Sequence, residues 1–144
     1  MSVFIPKKVK YRKWHTMRKN PKKLGLETRG HYLSFGAFGL KATDYARVES
    51  NQIEAARKVI SREVGKNGKI WIRIFPDMPY TAKPPEVKLG RGKGDLQGYC
   101  TPIKPGRILF EVDGVTEAVA REALRKAGTK LPTTTVFVTR DLKI

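Results

Sequence analysis

The side chains that most often do chemistry are few in this sequence and stand far apart. His15 and His31 are widely separated, and Cys100, the single cysteine, is distant from both. None has the close spacing that metal ligands need, and one cysteine allows neither an internal disulfide nor a thiolate cluster. His15 falls in a basic stretch and His31 at a strand edge, with no partner group near either in sequence, so acid–base catalysis is not expected of them. The segment Gly90-Arg-Gly-Lys-Gly94 is the remaining candidate for cofactor chemistry, because glycine loops let backbone amides approach phosphates. Its spacing fails: the dinucleotide fingerprint wants a glycine where Asp95 stands, and no Lys-Ser or Lys-Thr pair closes a P-loop. The sequence predicts no catalytic residue, no metal and no cofactor.

The same segment is suited to lying against a polyanion. Gly92 and Gly94 allow close approach of the backbone, Lys83, Lys88, Arg91 and Lys93 supply charge, and the acidic neighbours are only Glu86 and Asp95. The chain as a whole carries 30 Lys and Arg against 13 Asp and Glu, a formal net charge of +17. More than half of that excess lies in residues 1–30, where Lys7, Lys8, Lys10, Arg12, Lys13, Arg18, Lys19, Lys22, Lys23 and Arg29 face a single acid, Glu27. Such an arm binds closely spaced phosphates by releasing condensed counterions, which makes nucleic acid the expected partner. Tyr11 and Trp14 are interleaved with the cations and could stack on unpaired bases. An anionic membrane is the weaker candidate, since residues 6–23 lack the helical apolar period of an interfacial helix. No apolar run approaches the roughly 20 residues that span a bilayer, and the start lacks the apolar block of a signal peptide. With a lone cysteine as well, a reducing cytoplasmic setting is expected.

The elements that must position these groups follow from composition and period. Residues 1–30 cannot bury enough apolar surface to order alone and are read as an arm that orders on RNA; residues 31–144 are read as one α+β RNA-binding domain. Tyr32 to Thr43 reads as two short strand pieces broken at Gly36 and Gly39. Ile53, Ala56, Ile60 and Val64 recur at helical spacing, and so do Val119, Ala120, Ala123, Leu124 and Ala127, the second helix having Thr116 as N-cap and Gly128 as C-cap. Ile70, Ile72 and Ile74 alternate with Trp71, Arg73 and Phe75 as a strand, placing Arg73 among the candidate RNA contacts, and Pro76 ends it. Residues 76–98, rich in proline and glycine, read as a long basic loop with at most a short strand at Glu86 to Leu89. Arg107 to Asp113 and Thr133 to Arg140 are further strands. This order predicts a mixed β-sheet with both amphipathic helices on one face.

Several ordered stretches, among them Gln52-Ile-Glu-Ala-Ala-Arg57, Lys69-Ile-Trp-Ile-Arg-Ile-Phe-Pro76, Ser34-Phe-Gly-Ala-Phe-Gly-Leu-Lys-Ala42 and Lys104-Pro-Gly-Arg-Ile-Leu-Phe-Glu-Val-Asp-Gly-Val115, resemble bacterial large-subunit ribosomal protein sixteen nearly end to end. The resemblance implies a hammerhead-like α+β fold on large-subunit (23S-type) rRNA, below the central protuberance, where family members help shape the aminoacyl-tRNA site. It implies that the arm (Lys7, Lys8, Lys10, Arg12, Lys13, Arg18, Lys19) enters rRNA and that the loop (Lys83, Lys88, Arg91, Lys93) faces A-site tRNA, with P-site tRNA as a further partner. The chain departs from the usual family loop at Lys88, where an arginine is common, and at Gly98-Tyr99-Cys100, where an aromatic pair is reduced to one ring. The expectation is a non-enzymatic, non-oligomeric constituent of the ribosome, beside other large-subunit proteins, in a cytoplasm or an organelle of bacterial descent. A free RNA- or DNA-binding protein, or an assembly factor, is the alternative.

Overall fold

The protein was analysed as a computed structural model, which describes residues 4–16, 20 and 23–140. Its elements are β1 (Phe38–Ala42), β2 (Ala46–Glu49), α1 (Ser50–Val64), β3 (Lys69–Ile72), β4 (Met78–Ala82), β5 (Asp95–Ile103), β6 (Ile108–Asp113), α2 (Glu117–Gly128) and β7 (Thr135–Thr139). The two stretches with apolar residues every three or four positions are the two helices, and those residues are their buried stripes: Ile53, Ala56, Ile60 and Val64 on α1, Ala120, Ala123, Leu124 and Ala127 on α2. Three alanines in the α2 stripe leave room for close approach of α1. At the start of α1 the Gln52 side chain accepts the Glu49 amide at 2.9 Å, satisfying a donor the helix cannot. Thr116 stands at the N-cap of α2 as expected. The helix runs through Gly128, however, and is capped at Thr129, whose hydroxyl donates to the Lys126 carbonyl at 2.6 Å.

The expected single mixed sheet is instead two antiparallel sheets, one of four strands in the order β3-β6-β1-β7 and one of three in the order β2-β5-β4. In the larger sheet Leu40 pairs with both Phe110 and Phe137, Ile72 pairs with Phe110, and Phe38 and Ile70 both pair with Val112. Antiparallel partners share a face, so these residues form one apolar surface, and both helices cover it, as the helical patterning requires. α1 reaches beyond it to touch β2 and β5.

The smaller sheet accounts for most of what the sequence pattern hides. Residues 76–98 are not one long loop: β4 and the start of β5 pair within them, leaving 83–94 as the hairpin loop. The segment from Glu86 to Leu89 is not a strand but begins inside a turn in which the Val87 amide donates to the Pro84 carbonyl at 3.1 Å. Prolines in a strand are tolerated where no neighbour asks for the missing N–H. Pro79 lies in β4, an edge strand, and Pro102 lies in the part of β5 that pairs with β2 alone. The register slips by one residue between Tyr80 and Thr81, a bulge that Gly98 adjoins.

α2 packs most extensively against α1. Leu124→Ala is expected to lower unfolding free energy by about 2–5 kcal/mol, read from the urea midpoint at unchanged slope, because Leu124 is wholly buried and the α1–α2 contact cannot collapse onto the cavity.

Candidate nucleic-acid interface

The face of the larger sheet away from the helices carries an acid. Glu111 sits in β6, fully buried, opposite Trp71 of β3 and Gly39 of β1. Its carboxylate accepts the backbone amides of Ser34 at 3.1 Å and of Phe35 and Gly36 at 2.7 Å each, and it is paired with the Arg73 guanidinium. Burial pushes this carboxyl up, but the three amide hydrogen bonds and the one from Arg73 together outweigh burial and hold it below the ordinary carboxylate range. The chain before β1 is thereby strapped across the sheet. Gly36 makes the crossing possible, since a Cβ there would lie 2.7 Å from the Val112 carbonyl oxygen.

Residues further upstream are tied to the same body. The Ile108 amide donates to the Gly30 carbonyl at 2.8 Å, the Glu27 amide to Pro105 at 2.9 Å, and the Tyr45 hydroxyl to Gly25. Arg107 bridges two segments, donating to the carbonyls of Arg29 at 3.0 Å and Arg73 at 3.1 Å. Phe4 packs against the core near Phe75 and Arg107. Between these anchors Lys7, Lys8, Lys10, Tyr11, Arg12, Lys13 and Trp14 are all exposed, with the Lys10 ammonium 5.5 Å from the centre of the Tyr11 ring. Lys23 and Arg29 are exposed as well, whereas Arg18, Lys19 and Lys22 lie outside the described residues.

The hairpin loop comes to the arm. Lys93 donates its ammonium to the carbonyl of Trp14, and Lys83 donates across the loop to the carbonyl of Gly90. The backbone turns through three successive positive φ angles, at Gly90 (93°), Arg91 (62°) and Gly92 (96°), which only glycine adopts freely. Lys83 and Lys93 are thus bonded within the protein, while Lys88 and Arg91 are exposed and make no hydrogen bond or ion pair with the described residues. Leu89 between them is 98% exposed. Lys83, Lys88, Arg91, Lys93 and Gly94 surround a concavity of about 410 Å³.

Two placements go beyond what the sequence reading said of these residues. Arg73 is drawn into the protein's own packing by Glu111, the carbonyl of Tyr32 and the Phe35 ring, whose centre lies 5.2 Å from its guanidinium. Cys100 is buried in β5, and burial pushes its thiol up, the opposite of what a nucleophile needs. Neither Glu111 nor Arg107 was singled out from the sequence. One signal was available: an acid inside the apolar run Ile108-Leu-Phe-Glu-Val112 must find donors from elsewhere in the chain. Among the described residues no cluster of His, Cys, Asp or Glu could hold a metal, and no helix is long and apolar enough to cross a membrane.

Comparison with known proteins bears on the whole of this arrangement. The model of the family described as ribosomal protein L16p/L10e matches residues 6–138, which include the arm from Pro6, the strap, the loop and all the elements but the last residue of β7. A large ribosomal subunit protein uL16 of Halorhodospira halophila is 54% identical over 137 residues, covering 95% of this chain and 97% of its own. One of Staphylococcus aureus (strain Newman) is 52% identical over 139 residues, covering 96% and 94%.

The strap makes stability depend on pH in a defined direction. Glu111 has a lowered pKa in the folded protein, so its contribution is fully present above the unfolded value near 4.5 and is lost as pH falls through the folded one. Glu111→Gln should lower the melting temperature clearly at pH 7, and the gap to the unmodified protein should narrow as pH falls below about 4.5. A gap that stays constant across a thermal series from neutral to acid would show that the carboxylate charge does not hold the strap.

Proposed function

The chain belongs to the ribosomal protein L16p/L10e family, and we propose that it is a non-catalytic constituent of the large ribosomal subunit that binds 23S-type rRNA and helps organise the aminoacyl-tRNA site. The observation that carries this reading is the meeting of the basic arm and the glycine loop at Trp14 and Lys93, which gathers the two uncompensated basic segments on one side of the fold. In this reading residues 1–30 order in rRNA grooves and residues 31–144 dock as a body. Lys7, Lys8, Lys10, Arg12, Lys13, Arg18, Lys19, Lys22, Lys23 and Arg29 neutralise phosphates, and Tyr11 and Trp14 stack on bases. Arg73 takes part through the segment it holds, keeping Tyr32 and Phe35 in place beside the arm.

The loop of Lys83, Lys88, Arg91, Gly92, Lys93 and Gly94 then faces A-site tRNA, and P-site tRNA after it. Lys83 and Lys93 shape the loop, leaving Lys88 and Arg91 for phosphates. Cations presented by a glycine-rich turn contribute affinity without base recognition, which suits a site that must accept every tRNA. Other large-subunit proteins are its neighbours, peptide transfer is left to RNA, and the place of action is the cytoplasmic ribosome.

Two measurements test the proposal. In sucrose gradients of gently lysed cells the chain should travel with large subunits and whole ribosomes, and move to the top after ribonuclease treatment; sedimentation only with precursor particles would favour an assembly factor. Lys88→Ala with Arg91→Gly should reduce tRNA-dependent translation by ribosomes carrying the variant and weaken A-site tRNA binding. Its melting temperature should stay within about 2 degrees, because exposed charges contribute little stability and glycine accepts the positive φ at 91.

A further inference from the structure

Beside the arm and the loop, a third group of side chains on this surface suits RNA. Tyr32 and Phe35, at the start of the strap, are 72% and 54% exposed, and Phe75, two residues past Arg73, is 49% exposed. Large rings are ordinarily withdrawn from water, and the first two have not been left outside for want of order. The strap that carries Tyr32 and Phe35 is fixed by three amide bonds to Glu111, and the Tyr32 carbonyl is held by Arg73. Phe35 lies nearly parallel to Trp71, with centres 6.1 Å apart and planes 16° apart, and Tyr32 is backed by the His31 ring at 3.8 Å. Phe75 shares with Arg73 and Phe4 a concavity of about 420 Å³ at the edge of β3.

We propose that Tyr32, whose carbonyl Arg73 holds, and Phe75, which lines a concavity with Arg73, form a stacking site for unpaired RNA bases. The strap fixes the backbone that carries Tyr32 before the partner arrives, which lowers the ordering entropy that opposes stacking there. The Arg73 guanidinium among them favours an electron-rich π face, and the net charge of +17 favours a polyanion over an apolar protein surface. Duplex RNA cannot offer such faces, because its bases are already stacked, so the site selects unpaired nucleotides. This rests on the RNA-bound reading above but assigns a separate role to rings outside the arm, since the cations of the arm and loop contact phosphates irrespective of pairing.

The test uses the full chain with Tyr32→Leu and Phe75→Leu combined, which keeps apolar volume and removes the π faces without touching the strap's hydrogen bonds. Binding is measured against a single-stranded oligoadenylate of roughly ten nucleotides and a duplex of equal length, over a range of salt. The double variant should lose about tenfold or more in affinity for the single strand and none for the duplex, with an unchanged salt slope, and Tyr32→Phe should restore the part due to residue 32. Equal affinity for the single strand, an equal loss on both probes, or a shallower salt slope would each overturn the stacking site. Melting temperature checks that the variant is folded, and Phe75→Leu alone, which lies outside the strap, repeats the test should the double variant be unstable. Sedimentation of the unmodified chain separates the two readings: if it fails to travel with large subunits while the variant still loses single-strand binding, the ribosomal assignment falls and the stacking site stands.

Discussion

A single buried carboxylate organises the surface of this protein from which the basic arm departs. Removing Glu111 from water costs several kcal/mol, which only well-placed donors can offset. Three consecutive backbone amides and one guanidinium provide them, and in doing so they fix the path of the chain before β1. An apolar residue at the same place could pack as well against Trp71 but would leave residues 34–36 with no reason to cross the sheet there. The value of the pair is therefore positional: it sets the point from which the basic arm departs, and it holds Arg73, Tyr32 and Phe35 in one arrangement.

The rest of the electrostatics is a matter of sorting. The helices carry four of the 13 acids, and all four are paired: Glu54 with Arg57 and Lys58, Glu117 with Arg121, Glu122 with Arg125 and Lys126, and Glu63 with Lys126 across α1 and α2. Exposed pairs of this kind add little stability, and long-range attraction between them and a polyanion largely cancels. The helical side is close to neutral for that reason, while the arm and the hairpin loop keep their charge. More than half of the net charge of +17 therefore lies in the first 30 residues, and the loop adds its own cations to it.

The smaller sheet connects that charge to the core. β5 pairs with β2, which leads directly into α1, and with β4, which leads into the loop, so the loop stands on a hairpin whose base is anchored to a packed helix. Its own shape comes from glycines at positive φ and from Lys83 bonded across it. Lys93 then ties loop to arm at Trp14, so two segments far apart in sequence present their cations together.

Local chemistry alone determined the helices, β6, β7 and the basic character of the arm and loop. A helix stripe at 53, 56, 60 and 64 marks the buried face whatever the fold around it, the Thr, Val and Phe near the end favour a strand, and the charge excess needs no fold at all. The family could be read as well, because long ordered stretches such as 69–76 and 104–115 retain its residues. What only the tertiary structure decided were β2, β4 and most of β5, the division into two sheets, and the strap on Glu111. Pro79, Gly98 and Pro102 argue against strands unless one knows that their positions are an edge, a bulge and a half-paired end. Glu111 looks like a solvent-facing strand residue until the three amides that bind it arrive from 75 to 77 positions away. Pattern reports what a residue prefers over a few neighbours; which donors reach a buried acid, and which strand lies beside a proline, are set by contacts distant in the chain.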